Sequence, residues 1–197
     1  MHQKWPMWTG GVLGLVAVAF AFATVTGPTD QWLHAARYTA RVGFPLLILA
    51  YVARPLVDLS RSDWSKSILA RRKYIGLGFA VSHTIHLVAL VIAIEVSGQG
   101  KGIVTYIFGG LGYALLYAMA FTSNRSAMKA MGARWKSLHR FGIHYLWFIF
   151  AQSYLGRIFQ DGKVEEGAIG AVIAFGAAAI RFAAWWQTRA RKRASLA

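Results

Sequence analysis

A chain of 197 residues with 56% hydrophobic side chains, a formal net charge of +15 and no cysteine excludes several classes of protein. Its apolar residues fall in long, nearly charge-free blocks, which excludes an ordinary soluble domain and marks membrane-spanning helices. The missing cysteines exclude disulfides, thiolate metal sites and Fe–S clusters, and seven acidic residues are too few for an oxygen-rich calcium or di-iron centre; histidine is left as the obvious metal ligand.

Residues 8–25 form the first apolar block, preceded by Lys4 and followed by the breaker Gly27-Pro28. Ala21-Phe22-Ala23 looks like a small-residue cleavage site. The run is long for a signal peptide, however, and more spans follow, so it reads as an anchor. The second span covers residues 32–57, with Pro45 bending it and His34, Arg37 and Arg41 near its entrance. Arg37 and Arg41 read as snorkelling cations or, alternatively, as an anion clamp, since the arginine fork suits a carboxylate. Residues 54–73 are a polar, amphipathic link that reads as an interfacial helix.

The third span, residues 74–95, carries His83 and His86 and is followed by a short turn containing Lys101. The fourth, residues 103–123, contains Gly109, Gly110 and Gly112, small residues that permit close helix approach. The fifth, residues 135–154, carries His139 and His144, and the sixth, residues 167–186, ends in the cationic tail 189–193. The expected architecture is an all-α membrane protein, one six-transmembrane-helix bundle spanning residues 1–197.

The cations sort by side. Residues 54–73, residues 124–136 and the tail hold most of them, diluted only by Asp58 and Asp63, whereas the opposite links carry Asp30, Glu95, Asp161, Glu165 and Glu166 among few cations. The positive-inside rule then places both termini in the cytoplasm, in a cell inner membrane. Because each basic cluster has a topological role, nucleic acid is not an expected partner.

Four of the six histidines lie inside spans. An intramembrane ionisable residue is by default a functional candidate. His83 and His86, three apart, share one helix face; His139 and His144, five apart, are rotated by about 140°. The expectation is that the third and fifth spans face each other and hold haem iron between His86 or His83 and His139 or His144. Counted from the cytoplasmic ends of the spans, His83 and His86 lie roughly 13–18 Å deep, His144 roughly 13 Å and His139 roughly 6 Å. Depth therefore favours His144 as the fifth-span ligand. Low-spin, bis-histidine iron suits electron transfer rather than oxygen binding.

RRKYIGLGFAVSHTIHL, with His83 and His86, resembles the third-span motif of ferric reductase-like transmembrane proteins. RWKSLHRFGIHYLW, with His139, is similar to their fifth-span W-x-x-L-H motif. That group includes MsrQ-type haem-binding membrane subunits and, more distantly, the NADPH oxidases. The resemblance implies b-type haem between the third and fifth spans, with His86 and His139 at the matching positions. Ile85 replaces a motif leucine, and Gln152 stands where two-haem relatives carry a second fifth-span histidine. One haem is therefore expected rather than two.

The functional expectation is a membrane-embedded electron-transfer protein. It would take electrons from a cytoplasmic donor or quinol and pass them to an acceptor on the outer side. No room remains for a flavin or NADPH domain, so a redox partner protein, a flavin that such a partner supplies, or the quinone pool must furnish the reductant. Two rivals stand beside it: a haem-free membrane protein with structural or proton-relay histidines, and a cytochrome subunit that anchors a larger complex.

Overall fold

The computed structural model describes residues 4–100 and 102–195, which form seven α-helices and, among the described residues, no strand. In chain order they are α1 (Trp5–Thr24), α2 (Pro28–Ser60), α3 (Asp63–Ser97), α4 (Ile103–Phe121), α5 (Arg125–Met131), α6 (Ala133–Arg157) and α7 (Val164–Ala194). Lys101 lies outside the described residues. Five helices, α1, α2, α3, α4 and α7, are long and apolar enough to cross a membrane. With 25 residues α6 is long enough, but Arg134, Lys136, His139 and Arg140 crowd its first half and keep it out of that set.

The polar link expected as an interfacial helix is instead the meeting point of two long helices. α2 continues through Pro55 to Ser60, and α3 starts three residues later. The break is local: Arg61 adopts the left-handed conformation at φ 49°, and the Ser62 hydroxyl accepts the Ser65 N–H as an N-cap. At 33 and 35 residues, α2 and α3 are each about 50 Å long, well beyond a hydrocarbon core of about 30 Å. Residues 54–73 thus lie mostly within the adjoining ends of these two helices rather than in a separate helix.

α1 packs on α3 through small residues. A methyl group at Gly10 would collide with the Gly78 backbone, and one at Gly78 would collide with the Pro6 carbonyl. Around this contact Val12, Leu15, Val16 and Phe20 stay exposed, as expected of a face whose solvent is lipid. The main core gathers Phe44 and Leu47 from α2, Phe79 from α3, Leu116 and Met119 from α4, and Leu146, Phe150 and Tyr154 from α6. At one end of the bundle Glu166 binds two arginines: Arg41 through Nε at 2.9 Å and Nη2 at 2.8 Å, and Arg157. This clamp joins α2, α6 and α7 where the short α6–α7 turn sits.

Candidate functional site

α2 serves as a ruler for the four histidines. The His86 Nδ1 donates to the carbonyl of Ala36 at 2.9 Å and lies 3.2 Å from the Thr39 hydroxyl. That hydroxyl donates to Ala35 O at 2.7 Å, so it accepts from the ring. The proton is thus fixed on Nδ1, and no hydrogen bond occupies Nε2 among the described residues. A carbonyl holding one ring nitrogen while the other stays open is the arrangement that orients histidine ligands.

His83 lies farther along α2, where a methyl on Gly43 would stand 2.8 Å from its Nδ1. The ring is buried among Phe79, Tyr113, Phe150 and His86, with centroids 4.7–5.6 Å away. Its Nδ1 has no hydrogen-bond partner among the described residues, an expensive condition for a buried nitrogen.

His144 contacts α2 at Tyr51, eight residues beyond Gly43 and so about 12 Å farther along the axis. Its Nδ1 lies 3.1 Å from the Tyr51 hydroxyl and its Nε2 lies 3.4 Å from Nη2 of Arg181. Arginine only donates, so Nε2 accepts and Nδ1 carries the proton. Both nitrogens are committed, which leaves no free lone pair for a metal.

His139 lies nearer still to the end of the bundle that holds the α2–α3 junction. It stacks on Trp135 at 4.1 Å, and its Nε2 is 3.1 Å from the Thr122 hydroxyl. It also lines a cavity of about 1020 Å³ bounded by α2 to α7. Leu47, Phe79, Leu116, Met119 and Leu146 make the apolar wall, and Arg72 and Arg181 reach into the space. Such a volume is at the upper limit of ordinary ligand pockets.

The expected meeting of third- and fifth-span imidazoles is therefore not what the packing brings about. The α6 residue opposite His83 is Phe150. His144 and His139 are six and eleven residues earlier, roughly 9 and 16 Å along the helix. His83 and His86 pair with each other; His139 opens on the cavity; His144 is tied to Tyr51 and Arg181. Arg41, expected as a candidate anion clamp, has its fork filled by Glu166. Among the described residues no group of three or more metal-ligating side chains gathers.

Sequence reasoning passed over Arg72 and Arg181. Arg72 was hidden in a basic run already explained by topology, but Arg181 is a lone cation in an alanine-rich span, and that alone was a usable signal.

Comparison with known proteins finds relatives in one group. The chain is 26% identical to the protein-methionine-sulfoxide reductase heme-binding subunit MsrQ of Yersinia pseudotuberculosis, over 75% of this chain and 80% of the relative. It is equally similar to the subunit of the same name from Yersinia pestis, over 75% of this chain and 79% of that protein. No family model matches, and no solved structure matches. The resemblance to MsrQ-type subunits, read first from two short motifs, thus extends over most of both chains.

Proposed function

We propose that this chain is a membrane-embedded, b-type haem electron-transfer protein, a subunit of a reductase system like the relatives it resembles. The observation that carries the reading is the cavity: an apolar chamber of about 1020 Å³ with His139 in its wall and two arginines that pair with no carboxylate among the described residues. This donor set fits a haem, which needs an imidazole for its iron, apolar walls for its ring and cations for its carboxylates. When bound, haem supplies one-electron chemistry that no side chain here can supply.

His139 would hold the iron in the cavity, with Trp135 fixing its ring. His86, its Nδ1 anchored on Ala36, is the histidine best prepared for ligation at the deeper level, with His83 beside it. Leu47, Phe79 and Leu146 would exclude water. The six-span plan with both termini in the cytoplasm counts α6 as the remaining span, with Phe141 and Phe148 on its exposed face, in a cell inner membrane. Electrons then enter at the basic end, from a cytoplasmic donor, a partner's flavin or quinol, and leave toward an acceptor on the outer side.

One observation favours a second reading, in which the histidines are structural or relay protons: both nitrogens of His144 and Nε2 of His139 are hydrogen-bonded within the protein. Detergent-purified protein from haem-replete cells separates the two. The haem reading expects a reduced-minus-oxidised b-type spectrum that is lost in His139→Ala; the rival expects a colourless protein.

A further inference from the structure

Two half-buried arginines stand out from the other cations around the cavity. Arg54 is paired with Asp58 at 2.9 Å, and Arg189 lies over the Trp185 ring at 4.2 Å. Arg72 and Arg181, by contrast, are seated on consecutive carbonyls of α2, and Arg181 also donates to the His144 Nε2. The Arg72 Nε donates to Ala50 O at 2.9 Å, and the Arg181 Nη1 donates to Tyr51 O at 2.6 Å. The Tyr51 carbonyl is open for a sequence reason. Its helical donor would be the N–H of residue 55, and residue 55 is a proline inside the helix. The Tyr51 ring also lies 4.4 Å beneath the Arg181 guanidinium.

The two guanidiniums sit on adjacent carbonyls and line the same cavity, and among the described residues neither is paired with a carboxylate. Each has five N–H donors, most of them unspent, and both face the space that His139 lines. Like charges gathered at one cavity without a paired counter-ion call for an anion with two negative groups.

We propose that Arg72 and Arg181, seated on the Ala50 and Tyr51 carbonyls, form a two-guanidinium site that takes the propionate carboxylates of a haem in the His139 cavity. The proposal rests on the haem reading above. It assigns to this pair the anchoring role that the sequence suggested for Arg41, and it makes Pro55 a positioning residue for Arg181.

The test uses full-length protein purified in detergent from haem-starved cells and titrated with haem or with haem dimethyl ester, which keeps iron and ring but has no carboxylate. The unaltered protein is expected to bind haem roughly tenfold or more tightly than the ester, the size expected of charge-assisted pairs. In the double variant Arg72→Gln, Arg181→Gln the preference should largely vanish, through weaker haem binding with ester binding unchanged. Arg72→Lys and Arg181→Lys should each retain part of it, since charge survives without the fork. Equal binding of the two ligands by the unaltered protein, a comparison that needs no variant, overturns the carboxylate assignment and leaves the haem reading standing. So does full discrimination in the double variant. Lipid phosphate that co-purifies with the unaltered protein and not with the double variant, without any haem-over-ester preference, overturns it in favour of a lipid headgroup. Binding of neither ligand overturns the haem reading itself.

Discussion

A histidine is a ligand candidate only if one of its nitrogens is left over, and by that criterion the four residues separate. His86 is anchored at Nδ1 and open at Nε2; His144 is used at both ends. His144→Ala should therefore leave haem content unchanged while loosening Arg181, read as a weaker haem-over-ester preference in the titration. Loss of the b-type spectrum in His144→Ala would contradict this assignment. Arg41 is a parallel case. Its bidentate bond to Glu166 joins two helices, and both partners are partly exposed. Arg41→Gln should lower stability in detergent by about 1 kcal/mol or less, because water screens such a pair, with no change in haem affinity. None of this side-chain logic was legible in the sequence. Residue type and spacing marked His83, His86, His139 and His144 as candidates, but a ring's free nitrogen depends on carbonyls and hydroxyls from α2, far away in the chain.

At the scale of the helix, α2 decides the registers of the others. Depth counted from the apolar span starts puts His83, His86 and His144 near one level when α3 is counted from Tyr74. It begins at Asp63, and the real register is set by side chains: Gly43 admits His83 and Tyr51 meets His144. Pro45 and Pro55 both lie within α2, and only Pro45 was visible as a mid-span residue, since Pro55 seemed to fall in a polar link. Glycines show the same division. Gly78 packs against the α1 backbone, whereas a methyl on Gly76 would meet nothing within 4 Å. Gly78→Ala should cost about 1–3 kcal/mol in detergent unfolding, because backbone cannot yield as a side-chain tip can. Gly76→Ala should be neutral or gain up to about 1 kcal/mol from helix propensity. Equal effects at the two positions would contradict the α1–α3 packing.

For the whole molecule, composition alone made the helical membrane character legible, because apolar blocks of this length have few other uses. The span count was harder to read. α6 carries its charges where the cavity and the α5–α6 corner can receive them, so its sequence resembles a span only in its second half. The proposed orientation rests on charge sidedness and is directly testable, since the chain has no cysteine of its own. A single Gln99→Cys should react with a membrane-impermeant maleimide in intact cells with a permeabilised outer layer. Ser126→Cys should react only after the inner membrane is opened. The reverse pattern would invert the topology and, with it, the proposed direction of electron flow.

The cavity beside His139 gives the whole account its functional meaning, and the haem-to-protein ratio of the purified full-length chain, taken with and without His139→Ala, tests it most directly. About one b-type haem per chain is expected, with most of it lost when the imidazole is removed. A colourless unaltered protein, or a His139→Ala variant that keeps its haem and its spectrum, would contradict it.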